Sequence, residues 1–141
     1  MESKAHAKWT GSLKDGKGVI SSGSGAIKEL PYTFATRFEG AKGTNPEELI
    51  AAAHSACFTM ALTAELGKQQ IVPESIETSA VVTLVKQGDG FAVGESRLNS
   101  TVTAKGADKQ KIESCAAGAK ENCPISKLLN AAISLQIEVN V

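Results

Sequence analysis

The stretch 45–67, NPEELIAAAHSACFTMALTAELG, decides the fold. Asn45 is a good helix N-cap, Pro46 suits the first helical position, and Glu48 falls where a capping-box acid reaches back. Gly67 is a natural stop. The predicted helix therefore runs over 46–67. Leu49, Ile50, Ala51, Ala52, Ala53, Ala56, Cys57, Phe58, Met60, Ala61, Leu62, Ala64 and Leu66 lie on nearly every side of it. A helix that is apolar all round must be buried all round. A chain of 141 residues seldom wraps one helix completely, so a second subunit is expected to cover the remaining face.

Upstream, residues 4–38 read as strands. AHAKWTG, GKGVISSGSG and LPYTFATRF carry β-branched and aromatic residues broken by Gly, Ser and Pro. Asp15-Gly16 marks a hairpin, and Tyr32 and Phe34 alternate onto one face, with Arg37 at the end of that strand. Downstream, SIETSAVVTLVKQ and GFAVGESRLNSTVTAKG are two strands parted by the turn Gly88-Asp89-Gly90. A more polar helix is predicted over 107–122, with Ile112, Cys115, Ala116 and Ala119 inward. A short helix follows from Pro124 to about Asn130. The end, AAISLQIEVNV, alternates Ile133, Leu135, Ile137 and Val139 as a last strand. This order predicts a single α+β domain over 1–141 with an antiparallel sheet.

Composition narrows the function. Fifteen basic residues balance fifteen acidic ones. That argues against a nucleic-acid binder with a basic footprint and against attachment to an acidic membrane surface. The charge-free run from Leu49 to Ala64 falls short of the ~20 residues a membrane span needs. The N-terminus has no apolar signal region. Three cysteines without a C-x-x-C pair point to a cytoplasmic protein with free or redox-active thiols.

Four residues stand out for chemistry. Cys57 is a small packing residue by default, inert when buried unless a positive group is brought to it. Cys123 precedes Pro124 at a helix N-cap, where amide N–H groups favour a thiolate. On these grounds alone Cys123 is the more acidified thiol, and the choice of nucleophile stays open. Ten residues at ~100° each put Glu47 ~80° from Cys57 around the helix, whereas Glu48 falls on the far side. Glu48 is thus the capping acid and Glu47 the site candidate. Glu47 is also ~15 Å from Cys57 along the axis. They meet only if the helix is interrupted, or if two copies pack antiparallel and each supplies one residue. Arg37, in TRFEG, would hold a thiolate and steer a peroxide oxygen if brought to one.

Other constellations carry less. Cys115 reads as core packing. His54 shares the face of Cys57, but no third member completes a Cys–His acyl-transfer site. The cysteines and histidines lack metal-ligand spacing. GKGVISSGSG lacks the Lys-Ser/Thr of a phosphate loop.

TRFEGAKGTNPEELIAAAHSACFTMAL (36–62) and ENCPISKLL (121–129), with Cys57 and Cys123 66 positions apart, resemble the osmotically inducible protein C / organic hydroperoxide resistance (OsmC/Ohr) family. AHAKWTGSLKDGKGVISS and AISLQIEVNV extend the resemblance over essentially the whole chain. The arginine in TRFEG resembles the OsmC branch. The resemblance implies a cysteine-based peroxidase that reduces organic hydroperoxides to alcohols in stress defence. It implies that Cys57 is the peroxidatic thiolate and Cys123 the resolving thiol that forms a disulfide with it, with Arg37 and Glu47 positioning and activating Cys57. It also implies antiparallel sheets around a long central helix in an intertwined homodimer, no cofactor, and a dithiol reductant, lipoyl in some members. Ala52, Phe58, Met60 and Leu62 are expected to line an apolar crevice favouring organic hydroperoxides. The competing reading is a non-enzymatic carrier of apolar ligands with incidental thiols, which would bind a hydroperoxide and leave it intact. A redox sensor would need a partner surface, and no DNA-binding element is visible.

Overall fold

The computed structural model describes Met1–Val141 and divides into two compact units, residues 1–49 and 50–141. The first carries a three-stranded antiparallel sheet of β1 (Ala5–Thr10), β2 (Lys17–Ser22) and β3 (Leu30–Tyr32), then the short helix α1 (Phe34–Phe38). The hairpin expected at Asp15-Gly16 forms, although its turn spans residues 11–16. The Gly16 amide closes it on the Ser12 carbonyl at 2.9 Å. A Cβ at Gly16 would fall 2.3 Å from that same oxygen, so close backbone approach is what demands glycine there.

The expected third strand stops earlier than its alternation suggests. Thr33 and Thr36 form a reciprocal capping box: the Thr36 amide donates to Thr33 Oγ1 at 3.1 Å and the Thr33 amide to Thr36 Oγ1 at 3.0 Å. This local pairing satisfies two backbone donors that a strand would have to find elsewhere. Phe34 to Phe38 therefore coil, and Arg37 sits on a helix rather than at a strand end.

Helix α2 runs unbroken over Pro46–Lys68. Its first turn lies in the first unit and the rest in the second. Asn45 caps it as expected, accepting from the Glu48 amide at 2.9 Å, while the Glu48 carboxylate accepts from Thr44 Oγ1 at 2.9 Å. The helix ends at Lys68, one residue past the expected end, but Gly67 is not its left-handed stop. Gln70 takes the left-handed position (φ +59°), its amide donating to the Gly67 carbonyl and that of Ile71 to the Leu66 carbonyl. This is the Schellman closure with glutamine where glycine is usual.

In the second unit β4 (Ser75–Gln87) and β5 (Gly90–Thr103) make a long antiparallel hairpin. Its tip is a two-residue turn with Gly88 at φ +59°. Helices α3 (Lys109–Asn122) and α4 (Pro124–Leu128) follow, and β6 (Ala132–Asn140) returns beside β5. The β5–β6 pairing is parallel, which corrects the wholly antiparallel expectation. The two intervening helices supply the crossover that parallel neighbours need.

The core of this unit joins Phe58, Leu62 and Leu66 of α2 to Leu98 and Val102 of β5 and to Ile112, Cys115, Ala116 and Ala119 of α3. These four α3 residues are the inward face expected from the sequence. The buried positions of α2 within the second unit, His54, Phe58, Leu62 and Leu66, recur every four residues along one face. Ala52, Ala53, Ala56, Met60 and Ala64 on other faces are exposed in the single chain, Met60 by 75%. By length and composition alone α2 could cross a membrane; here it supplies one face of a packed core.

Candidate active site

Arg37 and Glu47 meet within the first unit. The capping box sets α1 so that Arg37 lies in its last turn, and Pro46 starts α2 so that Glu47 lies in its first. Asn45 Nδ2 reaches the Thr36 carbonyl at 3.4 Å and ties the two helix ends together. Gly43, at φ +148°, brings its Cα side against Thr36, where a Cβ would come within 2.8 Å of the threonine methyl. Arg37 Nη2 donates to Glu47 Oε1 at 2.6 Å, and Nε lies 3.2 Å from both carboxylate oxygens. This two-pronged pairing fixes the plane of the guanidinium. The Glu47 side chain is only 11% exposed and that of Arg37 35%, so the pair is shielded on the acid's side and open on the base's. The bonds to Glu47 use Nε and Nη2, which leaves the Nη1 donors for a further acceptor.

Cys57 and Cys123 meet within the second unit. Cys57 is half-buried in the middle of α2; Cys123 is fully buried where α3 ends and α4 begins. The two thiols are neighbours that act on each other's acidity, and the Ile125 amide acts on both. The two thiols part in acidity. Burial pushes Cys57 up, and the neighbouring Cys123 adds to the rise against the pull of the Ile125 amide. Burial also pushes Cys123 upward, but the Ser126 amide, the Cys57 thiol, the Ser126 hydroxyl and the Ile125 amide outweigh it and bring it below the ordinary thiol value. The sequence expectation that Cys123 is the more acidified thiol matches this. Its cause differs: α4 has only five residues, and individual donors act instead of a helix dipole. No cation of the second unit lowers Cys57.

Cys115 is buried in the core as expected. Phe58 and Leu62, expected to line a crevice, are fully buried and cannot, whereas Ala52 and Met60 are exposed. Their i, i+4 spacing on the core face is what takes Phe58 and Leu62 inward. His54 and Ser126 received no role in the sequence reading. His54 is fully buried, with Nδ1 2.7 Å from Ser96 Oγ and Nε2 2.8 Å from Ser126 Oγ. A polar residue on the buried face of an apolar helix was the signal that could have marked it.

The family model of OsmC-like proteins matches residues 39–138. The chain belongs to the OsmC family. Over 139 residues it is 46% identical to the peroxiredoxin OsmC of Escherichia coli, covering 99% of this chain and 97% of that one. It is 34% identical over 124 residues to the organic hydroperoxide resistance protein OhrB of Bacillus subtilis, covering 86% and 88%. Among solved structures, an OsmC organic hydroperoxide resistance protein of Legionella pneumophila superposes with a TM-score of 0.74 at 25% identity over 98% of this chain and 97% of that one. The crystal structure of OhrB from B. subtilis gives 0.71 at 29% identity over 96% and 97%. These neighbours share the OsmC fold: α+β, two small sheets and one long helix.

Proposed function

We propose that this OsmC-family chain is a thiol peroxidase that reduces organic hydroperoxides to alcohols in stress defence, acting in the cytoplasm as a homodimer and as one domain over its whole length. The carrying observation is that two thiols 66 residues apart in sequence are brought side by side, each acting on the other's acidity. Access divides their roles. A peroxide can approach half-buried Cys57 but not fully buried Cys123. Cys57 is therefore the thiol that meets substrate, and Cys123, the more acidic, the thiol that resolves it.

In the first step the Cys57 thiolate attacks the distal oxygen of R–OOH. The O–O bond breaks, R–O⁻ takes a proton to leave as alcohol, and Cys57 becomes a sulfenic acid. Cys123 then attacks the Cys57 sulfur, forming the disulfide and releasing water. A dithiol reduces the disulfide and closes the cycle. No prosthetic group takes part.

Cys57 needs a cation to react as thiolate, because burial raises its pKa. Arg37, oriented by Glu47, is the candidate. Glu47 precedes Cys57 by ten positions on an unbroken helix, a rise of ~15 Å. In this proposal the Arg37–Glu47 pair of one copy therefore serves Cys57 of the other. The exposed apolar residues of α2, Met60 and Ala56 among them, support a second copy as their cover.

The test is consumption of an organic hydroperoxide with a dithiol reductant. Cys57→Ser is expected to abolish turnover. Full activity in that variant, or binding of hydroperoxide without turnover in the native chain, would overturn the proposal and favour a ligand carrier.

A further inference from the structure

A buried chain of hydrogen bonds leads away from the Cys123 sulfur, and its far end has no part in the chemistry above. Ser126 stands three positions after Cys123 in α4, and its hydroxyl acts on the Cys123 thiol, favouring the thiolate. Ser126 Oγ lies 2.8 Å from His54 Nε2, and His54 Nδ1 lies 2.7 Å from Ser96 Oγ. All members belong to the second unit: His54 from α2, Ser96 from β5, Ser126 from α4. His54 and Ser96 are fully buried. An imidazole and a hydroxyl cost desolvation at a position in line with Phe58 and Leu62, where an apolar side chain would pack without it.

We propose that Ser126 and His54 form a proton relay that takes the thiol proton of Cys123 as it attacks oxidised Cys57, with Ser96 holding the imidazole in the accepting tautomer. This rests on the resolving role assigned to Cys123 above. Before the step, Cys123 S–H faces Ser126 Oγ, Ser126 O–H donates to His54 Nε2, and His54 Nδ1–H donates to Ser96 Oγ. The Cys123 sulfur then supplies the electron pair of the new S–S bond, and the Cys57 S–O bond breaks with its pair leaving on hydroxide. Cys123 is oxidised and Cys57 reduced. The thiol proton passes to Ser126 Oγ while the Ser126 proton passes to His54 Nε2. The hydroxide is neutralised by that proton on its return through Ser126, so that a thiol and a sulfenic acid give a disulfide and one water.

Burial holds the His54 pKa down, so the ring rests neutral and able to accept. The groups acting on Cys123 are the Cys57 thiol of α2, the Ser126 hydroxyl and the Ser126 and Ile125 amides of α4; no carboxylate or ammonium is among them. His54 faces the Ser96 and Ser126 hydroxyls, and burial is what lowers its pKa. Ser126 touches the reacting sulfur; His54 acts through Ser126 as a positioning residue.

Two readouts test the relay. In a Cys57→Ser/Cys115→Ser background, thiolate absorbance near 240 nm titrates Cys123 alone. In the otherwise native protein, rapid quenching after one equivalent of cumene hydroperoxide follows Cys57–Cys123 disulfide formation against pH. Ser126→Ala and His54→Leu are expected to lower the thiolate population of Cys123 about tenfold at pH values below its midpoint, and to slow disulfide formation similarly. His54→Gln keeps a hydrogen-bonding partner for Ser126 but cannot take a proton. It is expected to leave the Cys123 titration close to native while still slowing disulfide formation. An unmoved titration in Ser126→Ala, or disulfide formation as fast in His54→Gln as in the native protein, overturns the relay. A shifted titration with no Cys57–Cys123 disulfide in the native protein overturns the resolving role instead and supports the proton path to Cys123.

Discussion

Replacing His54 with leucine removes an imidazole that joins two hydroxyls across the second unit, at 2.7 Å to Ser96 and 2.8 Å to Ser126. Ser96 is fully buried, and water cannot replace its lost partner; stranding such a group costs ~1–3 kcal/mol. Ser126 is half-buried and recovers part of its loss from solvent, leaving about 0.5–1 kcal/mol. The added apolar burial of leucine offsets about 1 kcal/mol of this. His54→Leu is therefore expected to destabilise by about 0.5–3 kcal/mol. Adding Ser96→Ala removes the stranded hydroxyl, so the double variant should be no less stable than His54→Leu alone, with a coupling of ~1–2 kcal/mol. The assay is urea unfolding at one fixed protein concentration, because an oligomer's midpoint moves with concentration. Strict additivity of the two substitutions, or a His54→Leu protein more stable than the native one, would refute the reasoning.

Other outcomes follow from the same geometry. His54 has a folded pKa below its unfolded value near 6.5, so the unfolded chain binds the extra proton as pH falls. Stability is therefore full above pH 6.5 and declines below it by up to ~1.4 kcal/mol per pH unit; His54→Gln should flatten that part of the profile in urea unfolding between pH 7 and 5. Met60→Glu puts a charge on the exposed apolar face of α2; with the proposed second copy as that face's cover, it should shift the chain to monomers in sedimentation and lower peroxide turnover at least tenfold. Gly43→Ala forces an L residue to φ +148° against the Thr36 methyl and should cost about 1–3 kcal/mol in thermal unfolding; an unchanged midpoint would show that the loop relaxes freely.

Much of this was legible in the chain. The Asn45-Pro46 start, the Ile112, Cys115, Ala116 and Ala119 face, and the alternation of the last strand all report local rules that the packed structure obeys. Residues 33–38 misled because Tyr32 and Phe34 alternate as in a strand, while the decisive signal was two threonines three apart that cap each other. Gly67 marked the end of α2 to within one residue, but Gln70 rather than Gly67 adopts the left-handed turn, because glycine is permitted in a helix as well as after one. The parallel course of β6 depends on which edge of β5 is free once α3 and α4 have packed, a long-range matter no local pattern encodes. Arg37, Glu47, Cys57 and Cys123 could be singled out as candidates by residue type, helix geometry and motif. The Ser126–His54–Ser96 chain could not, because its members come from three elements and its meaning lies in their distances.

The most direct measurement is peptide mapping by mass spectrometry after the reduced protein meets one equivalent of cumene hydroperoxide. The expected result is a single intramolecular Cys57–Cys123 disulfide with Cys115 still a free thiol, and a trapped Cys57 sulfenic acid when Cys123 is changed to serine. Oxidation falling first on Cys115, or a hydroperoxide left intact beside two free thiols, would contradict it.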